Sequence, residues 1–437
     1  MTRARRWIAG TAAALALLLA GLALVVHWML PDHERLAQQV SQRFEKASGV
    51  GLTVESAHWS LLPRPSVVLE GLATAQKSPI TVRRIVLHPR LSELWMRRIA
   101  IASIEVDGAV LPSSSVREFR GRWEGDDPAG ALGGAWRLAP LPLERLSLRD
   151  ITWVDHRDIA LAYDADVLFD GGWRPRSADV WRPEVSPAAR LHLDRDGVQD
   201  RWRTLIEVGG GTWNGSTELH AQAGGRMRLV AMLEPKGVDL SALVRSFGRH
   251  TPVEGRFSGR TELDAEGSTV GEMLRSLHTR TRFSMAPATL TGLDLARAVK
   301  SAGISRGGRT LLDSLTGTVD TQVTDAGMAL RYTGMTARSG VLSATGSASV
   351  LDRRLDGEAA VDIVDGVVGV PLKLGGTLDA PELSLTGGAL AGAALGSAVL
   401  PGVGTAIGAR IGQTVEQLFG DDKNRKASPT AGKAPAR

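Results

Sequence analysis

From Leu52 onward, apolar and polar residues alternate along much of the chain with a period of two. Ile104-Glu105-Val106-Asp107-Gly108-Ala109-Val110 shows it plainly, as do Leu191-His192-Leu193-Asp194 and Met227-Arg228-Leu229. Ala359, Val361 and Ile363 form a further series, and Val368, Val370, Leu372 and Leu374 another. Successive side chains of a strand point to opposite faces, so each run carries one apolar and one polar face. The runs are short and bounded by Gly, Asp or Pro, and 50 glycines and 20 prolines supply turns. The expected body is mainly β, an antiparallel sheet built strand after strand.

Two other periods interrupt this pattern. Leu36, Val40 and Phe44 recur at a spacing of four among polar residues, which predicts a short amphipathic helix after Pro31 that ends at Ser48-Gly49. Weaker helical patterns cover Leu240–Phe247, Val270–Leu277 and Leu293–Ala302. Residues 112–142 and 171–189 are rich in Gly, Pro, Trp and charge, and read as loops or sheet edges rather than linkers. A weak internal echo links Val67–Gly71, Ile104–Gly108 and Leu146–Asp150, each reading apolar-x-apolar-x-turn.

The segment Trp7–Leu30 is apolar throughout except for His27. At ~1.5 Å per residue it spans about 36 Å, enough for the ~30 Å hydrocarbon core of a bilayer. Arg3, Arg5 and Arg6 precede it, which places the N-terminus in the cytoplasm and the bulk outside. Trp7 and Trp28 sit where interfacial rings are favoured. A cleaved signal peptide is the rival reading, but its apolar region is normally only ~7–15 residues, so a retained single-pass anchor is expected.

Composition narrows the function. The 437 residues include 52 Lys and Arg against 47 Asp and Glu, dispersed along the chain. That is a mixed-charge solvated surface, and no nucleic-acid partner is expected. There is no cysteine, which excludes disulfides, thiolate metal sites and cysteine nucleophiles. The nine histidines are scattered without metal-ligand spacing, and no nucleophile elbow or phosphate-binding loop occurs. Asp155-His156-Arg157-Asp158 is dense in polar groups and reads as a solvated turn. No catalytic, cofactor-binding or metal-binding residue is expected, and the chain does not read as an enzyme.

Near the C-terminus, Gly388, Gly392 and Gly396 are spaced by four, as are Gly404, Gly408 and Gly412, with Pro401-Gly402 between the sets. Small residues at this spacing let helices approach closely. The Pro-Gly pair argues against one straight span and for a hairpin of two short helices that closes a groove or touches a membrane. The alternative is a Gly/Ala linker. Residues 421–437 have the composition of a disordered tail.

The chain resembles the AsmA-like family of envelope proteins. The resemblance rests first on the anchor and helix leading into Gly49–Val54 and then Leu61-Leu62-Pro63-Arg64-Pro65-Ser66-Val67-Val68-Leu69. The stretch from Leu91-Ser92-Glu93-Leu94 through Ile99–Gly108 follows the family's next strand signature. A C-terminal module matches in Leu290–Leu295, Leu312–Thr318, Gly340–Ala348, Leu351–Asp356 and Val370-Pro371-Leu372-Lys373-Leu374-Gly375-Gly376-Thr377-Leu378-Asp379-Ala380-Pro381-Glu382-Leu383. Residues 1–110 and 280–386 carry the likeness, and 111–279 shows only generic strands.

The resemblance implies an elongated, taco-like antiparallel sheet with an apolar groove that holds or moves phospholipid between inner and outer membranes. The implied organisation is an anchor (1–30), a β-rich periplasmic region (31–285), a C-terminal module (286–386), a Gly/Ala hairpin (387–420) and a tail (421–437). Strands stacked at ~4.8 Å give a trough of about 70–95 Å for 15–20 strands. Shielding an acyl chain there is worth ~0.8 kcal/mol per CH₂. Ile104, Val106, Val361, Ile363, Val370 and Leu372 are the candidate groove residues. The expected partners are the inner membrane, phospholipid and an outer-membrane or envelope protein. The competing reading is a structural or assembly factor for outer-membrane proteins or a secretion system; a periplasmic hydrolase lacks a convergent site.

Overall fold

The computed structural model describes residues 33–385 except 61–63, 95–97, 120–136, 139–142, 171–173, 269, 293, 295–306, 325–326, 341, 364–366 and 379. The chain is mainly β with few helices. It divides into two compact units, one ending at Pro183 and the next beginning at Glu184. The segment 286–386 belongs to the second unit. Trp7–Leu30 and the six tail glycines lie outside the described residues. Among the described residues no helix is long and apolar enough to cross a membrane.

The first unit opens with α1 (His33–Ser48), as the four-residue spacing requires. Leu36, Ala37 and Val40 pack onto the sheet, and Gly49, at φ +68°, ends the helix in the left-handed conformation that glycine adopts without a Cβ penalty. Strands β1 (Leu52–Ser60), β2 (Ser66–Thr74) and β3 (Thr81–Pro89) form an antiparallel meander. After α2 (Leu91–Leu94) and β4 (Arg98–Ile99), β5 (Ile101–Pro112) pairs antiparallel with β3. Then come α3 (Ser113–Glu118), β6 (Arg137–Leu138), β7 (Arg145–Val154), β8 (Ala160–Phe169) and β9 (Pro175–Trp181).

One pairing departs from the antiparallel expectation: β7 lies parallel to β5. A parallel neighbour needs a crossover connection in place of a tight turn, and residues 113–144 provide its length. Strands β4 and β6 are also parallel, in a small separate sheet. The loop reading of 112–142 and 171–189 is corrected accordingly. The former contains α3 and β6, and the latter contains the full strand β9 and the boundary between units. Both stretches are rich in Gly, Pro, Trp and charge, but Pro at the first residue of a strand, as at Pro175, leaves the ladder intact.

The internal echo has a structural basis different from a turn. Gly71, Gly108 and Asp150 lie inside β2, β5 and β7 with φ of +61°, +67° and +54°. The pairing skips Gly71 against Glu55 and Gly108 against Arg83, and breaks between Leu148 and Ile151. At Gly71 and Gly108 the register resumes unshifted, so the left-handed kink itself turns the side-chain alternation over, while the break at Asp150 adds one residue against β8, as a β-bulge does. Leu69 and Leu72, three apart, are therefore buried in the same cluster. A Cβ on Gly71 would strike the Glu55 side chain, and one on Gly108 the Arg83 guanidinium. Arg83 reaches across to Asp150 at 2.7 Å, and Asp164 Oδ1 accepts the Asp150 N–H at 2.8 Å.

The second unit comprises β10 (Arg190–Arg195), β11 (Arg201–Val208), β12 (Gly211–Ala221), β13 (Met227–Lys236), β14 (Val238–Asp239), α4 (Leu240–Arg245) and β15 (Val253–Gly267). It continues through α5 (Val270–Ser276), β16 (His278–Thr291), β17 (Arg309–Leu312), β18 (Ser314–Thr324) and β19 (Gly327–Ser339). It closes with β20 (Leu342–Leu351), β21 (Arg354–Ile363), β22 (Val367–Gly376) and β23 (Pro381–Leu385). Every pairing described inside this unit is antiparallel.

Helices α4 and α5 occupy the expected helical segments, and Asp239 caps α4 by accepting the Ala242 N–H at 2.8 Å. The helix expected over Leu293–Ala302 falls almost wholly outside the described residues. A core gathers Val208, Val238, Phe257, Met285, Leu312, Leu315, Val361 and Leu372, with Leu240 and Leu243 of α4 packed against it.

Candidate functional site: two uncharged ladder rows

Directly paired residues on neighbouring strands present their side chains on the same face. Reading the pairings across the first unit therefore traces whole rows. One runs Ala57, Leu69, Ile85, Val106, Leu148, Ala165, Val180. Its neighbour runs Trp59, Val67, Leu87, Ile104, Leu146, Val167, Ala178. Both are apolar at every position. Helix α1 covers this face over β1, β2 and β3, where Ala57 and Leu69 are buried, while Ile104, Val106, Leu146 and Leu148 remain half-buried.

The opposite face of the same strands carries His58, Val68, Val86, Glu105, Ser147, Asp166 and Asp179 in one row. Polar contacts knit it together: an ion pair of Arg149 with Asp166 at 2.7 Å, and His88 Nε2 at 3.3 Å from Glu105. Burial raises the Asp166 pKa, but hydrogen bonds from Arg149 and Ser147 and the charges of Arg149 and Arg145 outweigh it, so the net pKa lies below the ordinary carboxylate value. Towards one end, this face holds a depression bordered by Arg64, Arg84, Arg145, His88, Glu105 and three serines.

The second unit repeats the two-faced arrangement with different residues. One row crosses ten strands as Thr204, Gly215, Leu233, Thr261, Thr281, Val319, Tyr332, Ala348, Gly357, Leu374. No position is charged. The row on the other face runs Arg203, Ser216, Met232, Glu262, Arg280, Asp320, Arg331, Ser349, Asp356, where Arg280 meets Asp320 at 2.8 Å.

The hydroxyls of the uncharged side satisfy one another. Thr204 and Thr217 approach to 2.7 Å, and Thr261 and Thr281 to 2.9 Å, all four buried. A paired hydroxyl no longer seeks a partner in whatever lies against it, so the face behaves as apolar despite its threonines. Burial pushes the Tyr332 phenol above its ordinary value, consistent with a poorly solvated surface.

The six residues expected to line a groove fall in different surroundings. Ile104 and Val106 stand side by side on the half-buried apolar face of the first unit. Val361 and Leu372 are 2% and 1% exposed, inside the packed core of the second unit. Ile363 and Val370 belong to β21 and β22, with Val370 paired to Val361, but their side chains lie outside the described residues. Sequence reasoning passed over Leu146, Leu148, Val167, Val319 and Tyr332; the echo marked the strand of Leu146 and Leu148, but no local signal said which residues join one row across neighbouring strands. Among the described residues no group of His, Asp and Glu is arranged to hold a metal ion. No family model, no curated protein and no solved structure matches the chain.

Proposed function

We propose that the protein is an envelope protein, anchored in the bacterial inner membrane by Trp7–Leu30, whose periplasmic sheet holds or transfers phospholipid against an apolar trough. This is the reading that the AsmA-like resemblance implies, and it makes the protein a binding and transport factor rather than an enzyme. The observation that supports it most is the segregation of charge: rows seven and ten strands wide carry no charged residue, while the rows on the opposite faces carry acids and bases. In the first unit, where Ile104, Val106, Leu146 and Leu148 are half-buried, such a charge-free surface is costly in water, at ~25 cal/mol per Å² of apolar area, and an acyl chain laid along it relieves the cost.

The test is photo-crosslinking in cells. A crosslinking side chain at Val106, Leu148 or Val319 is expected to capture phospholipid, and one at Glu105 or Arg331 is not. Equal capture from both faces removes the trough. Capture of an outer-membrane protein in place of lipid from the uncharged faces establishes the assembly-factor reading instead.

A further inference from the structure

The depression on the charged face of the first unit lies on the side of the ladder away from the apolar rows, so an acyl-chain function leaves it unused. His88, Ser103 and Arg145 are paired in turn across β3, β5 and β7. They border one concavity together with Ser66, Arg64 and Arg84. Three guanidiniums therefore face it against a single lining carboxylate, Glu105, which is engaged by His88 Nε2 at 3.3 Å.

Arg84 and Arg145 are only loosely paired: Glu70 is 3.8 Å from Arg84 and Asp166 is 3.7 Å from Arg145, within ion-pair range but beyond hydrogen-bond length. The two arginine side chains are 51% and 56% exposed, so such pairs contribute little and leave the planar N–H forks able to turn to another anion. Val68 and Val86, 2% and 8% exposed, form an apolar floor beneath them. An apolar floor lowers the local dielectric and strengthens a charge-assisted hydrogen bond made above it.

We propose that this depression is an oxyanion site for a phosphate group, carried either by a soluble phosphate ester or by a lipid headgroup. Guanidinium forks bind phosphate oxygens in pairs, and the hydroxyls of Ser66 and Ser103 are additional donors. The proposal is independent of the acyl-chain reading, because the site and the apolar rows occupy opposite faces of the same strands.

The test uses the full chain and isothermal titration with two probes, glycerol 3-phosphate and dihexanoyl phosphatidic acid below its micellar concentration. Both arginines are more than half exposed, so Arg84→Ala/Arg145→Ala is expected to keep the wild-type melting temperature; Arg84→Gln/Arg145→Gln replaces it if alanine lowers that temperature. The double variant is expected to bind at least ~10-fold more weakly than wild type, in line with the loss of two charge-assisted contacts. Arg201→Ala, in an exposed pair with Glu218 of the second unit, is expected to bind like wild type.

Equal affinity of wild type for the two probes identifies free phosphate esters as the source. Tighter binding of the lipid, lost in the double variant, identifies a headgroup. Absence of binding by either probe, or lipid binding that the double variant retains in full, overturns the proposal.

Discussion

The two units solve the same problem with different side chains. In the first unit the uncharged face is built from large aliphatic residues, seven strands across, and α1 covers part of it. In the second the row across the middle of the strands is mostly Thr, Gly, Ala, Val and Tyr, with Leu233 and Leu374, and most of the bulky residues collect further along the strands in a core with α4. The contrast teaches that a face free of charge need not be hydrophobic residue by residue. Threonines that bond to each other across the ladder keep that face uncharged with less volume than leucines, while the bulk gathers further along the same strands in the core with α4.

The largest expected effect tests that division of labour. Met285 is 1% exposed at the centre of the second core. Met285→Ala is expected to destabilise that unit by about 2–5 kcal/mol, whereas Ile104→Ala on the half-buried face of the first costs about 1 kcal/mol. Urea unfolding followed by tryptophan fluorescence measures both; similar losses would mean that the first unit is as tightly packed as the second.

The threonine pairing is tested by a double-mutant cycle. Thr281→Val strands the buried Thr261 hydroxyl and is expected to cost about 1–3 kcal/mol, while Thr261→Val/Thr281→Val together cost less than the single change. Additive losses would show that the hydroxyls are not partners.

A smaller effect is expected at the left-handed kinks that belong to the first unit. Gly108→Ala places a Cβ at φ +67° and against the Arg83 guanidinium, for a cost of about 1–2 kcal/mol. Gly340→Ala, at φ +56° with no atom within 4 Å of the new Cβ, bears only the conformational part. Equal melting temperatures for the two variants would remove the special role of the kink.

The smallest effect is electrostatic. The folded-state pKa of Asp166 lies below its unfolded value, so its contribution is present above the unfolded pKa and is lost as pH falls through the folded one. At a position this open to solvent it amounts to less than about 1 kcal/mol. Asp166→Asn is expected to lower stability slightly at neutral pH and to make the acid limb of the stability profile shallower. An unchanged acid limb would show that the ion pairs of the charged face are incidental.

The parts of this architecture legible in the sequence are those encoded within a few residues. The four-residue spacing of Leu36 and Val40 located α1, and alternation located β5, β10, β13, β21 and β22, because helix and strand periods are local properties. The pattern also placed Ile104 and Val106 on one face. What no local pattern contains is the partner of each strand. Register joins residues tens of positions apart, so only the tertiary structure could show that Val106 continues into Leu148 through a parallel pair, or that Thr261 meets Thr281. It also decided that Val361 and Leu372 are sealed in a core while Ile104 and Val106 remain half-buried, since burial depends on what packs above a face and not on the alternation that creates it. The echo ending in Gly71, Gly108 and Asp150 was visible in the sequence, but its meaning was not: a residue that bends the chain reads as a turn until the neighbouring strands are seen to continue past it.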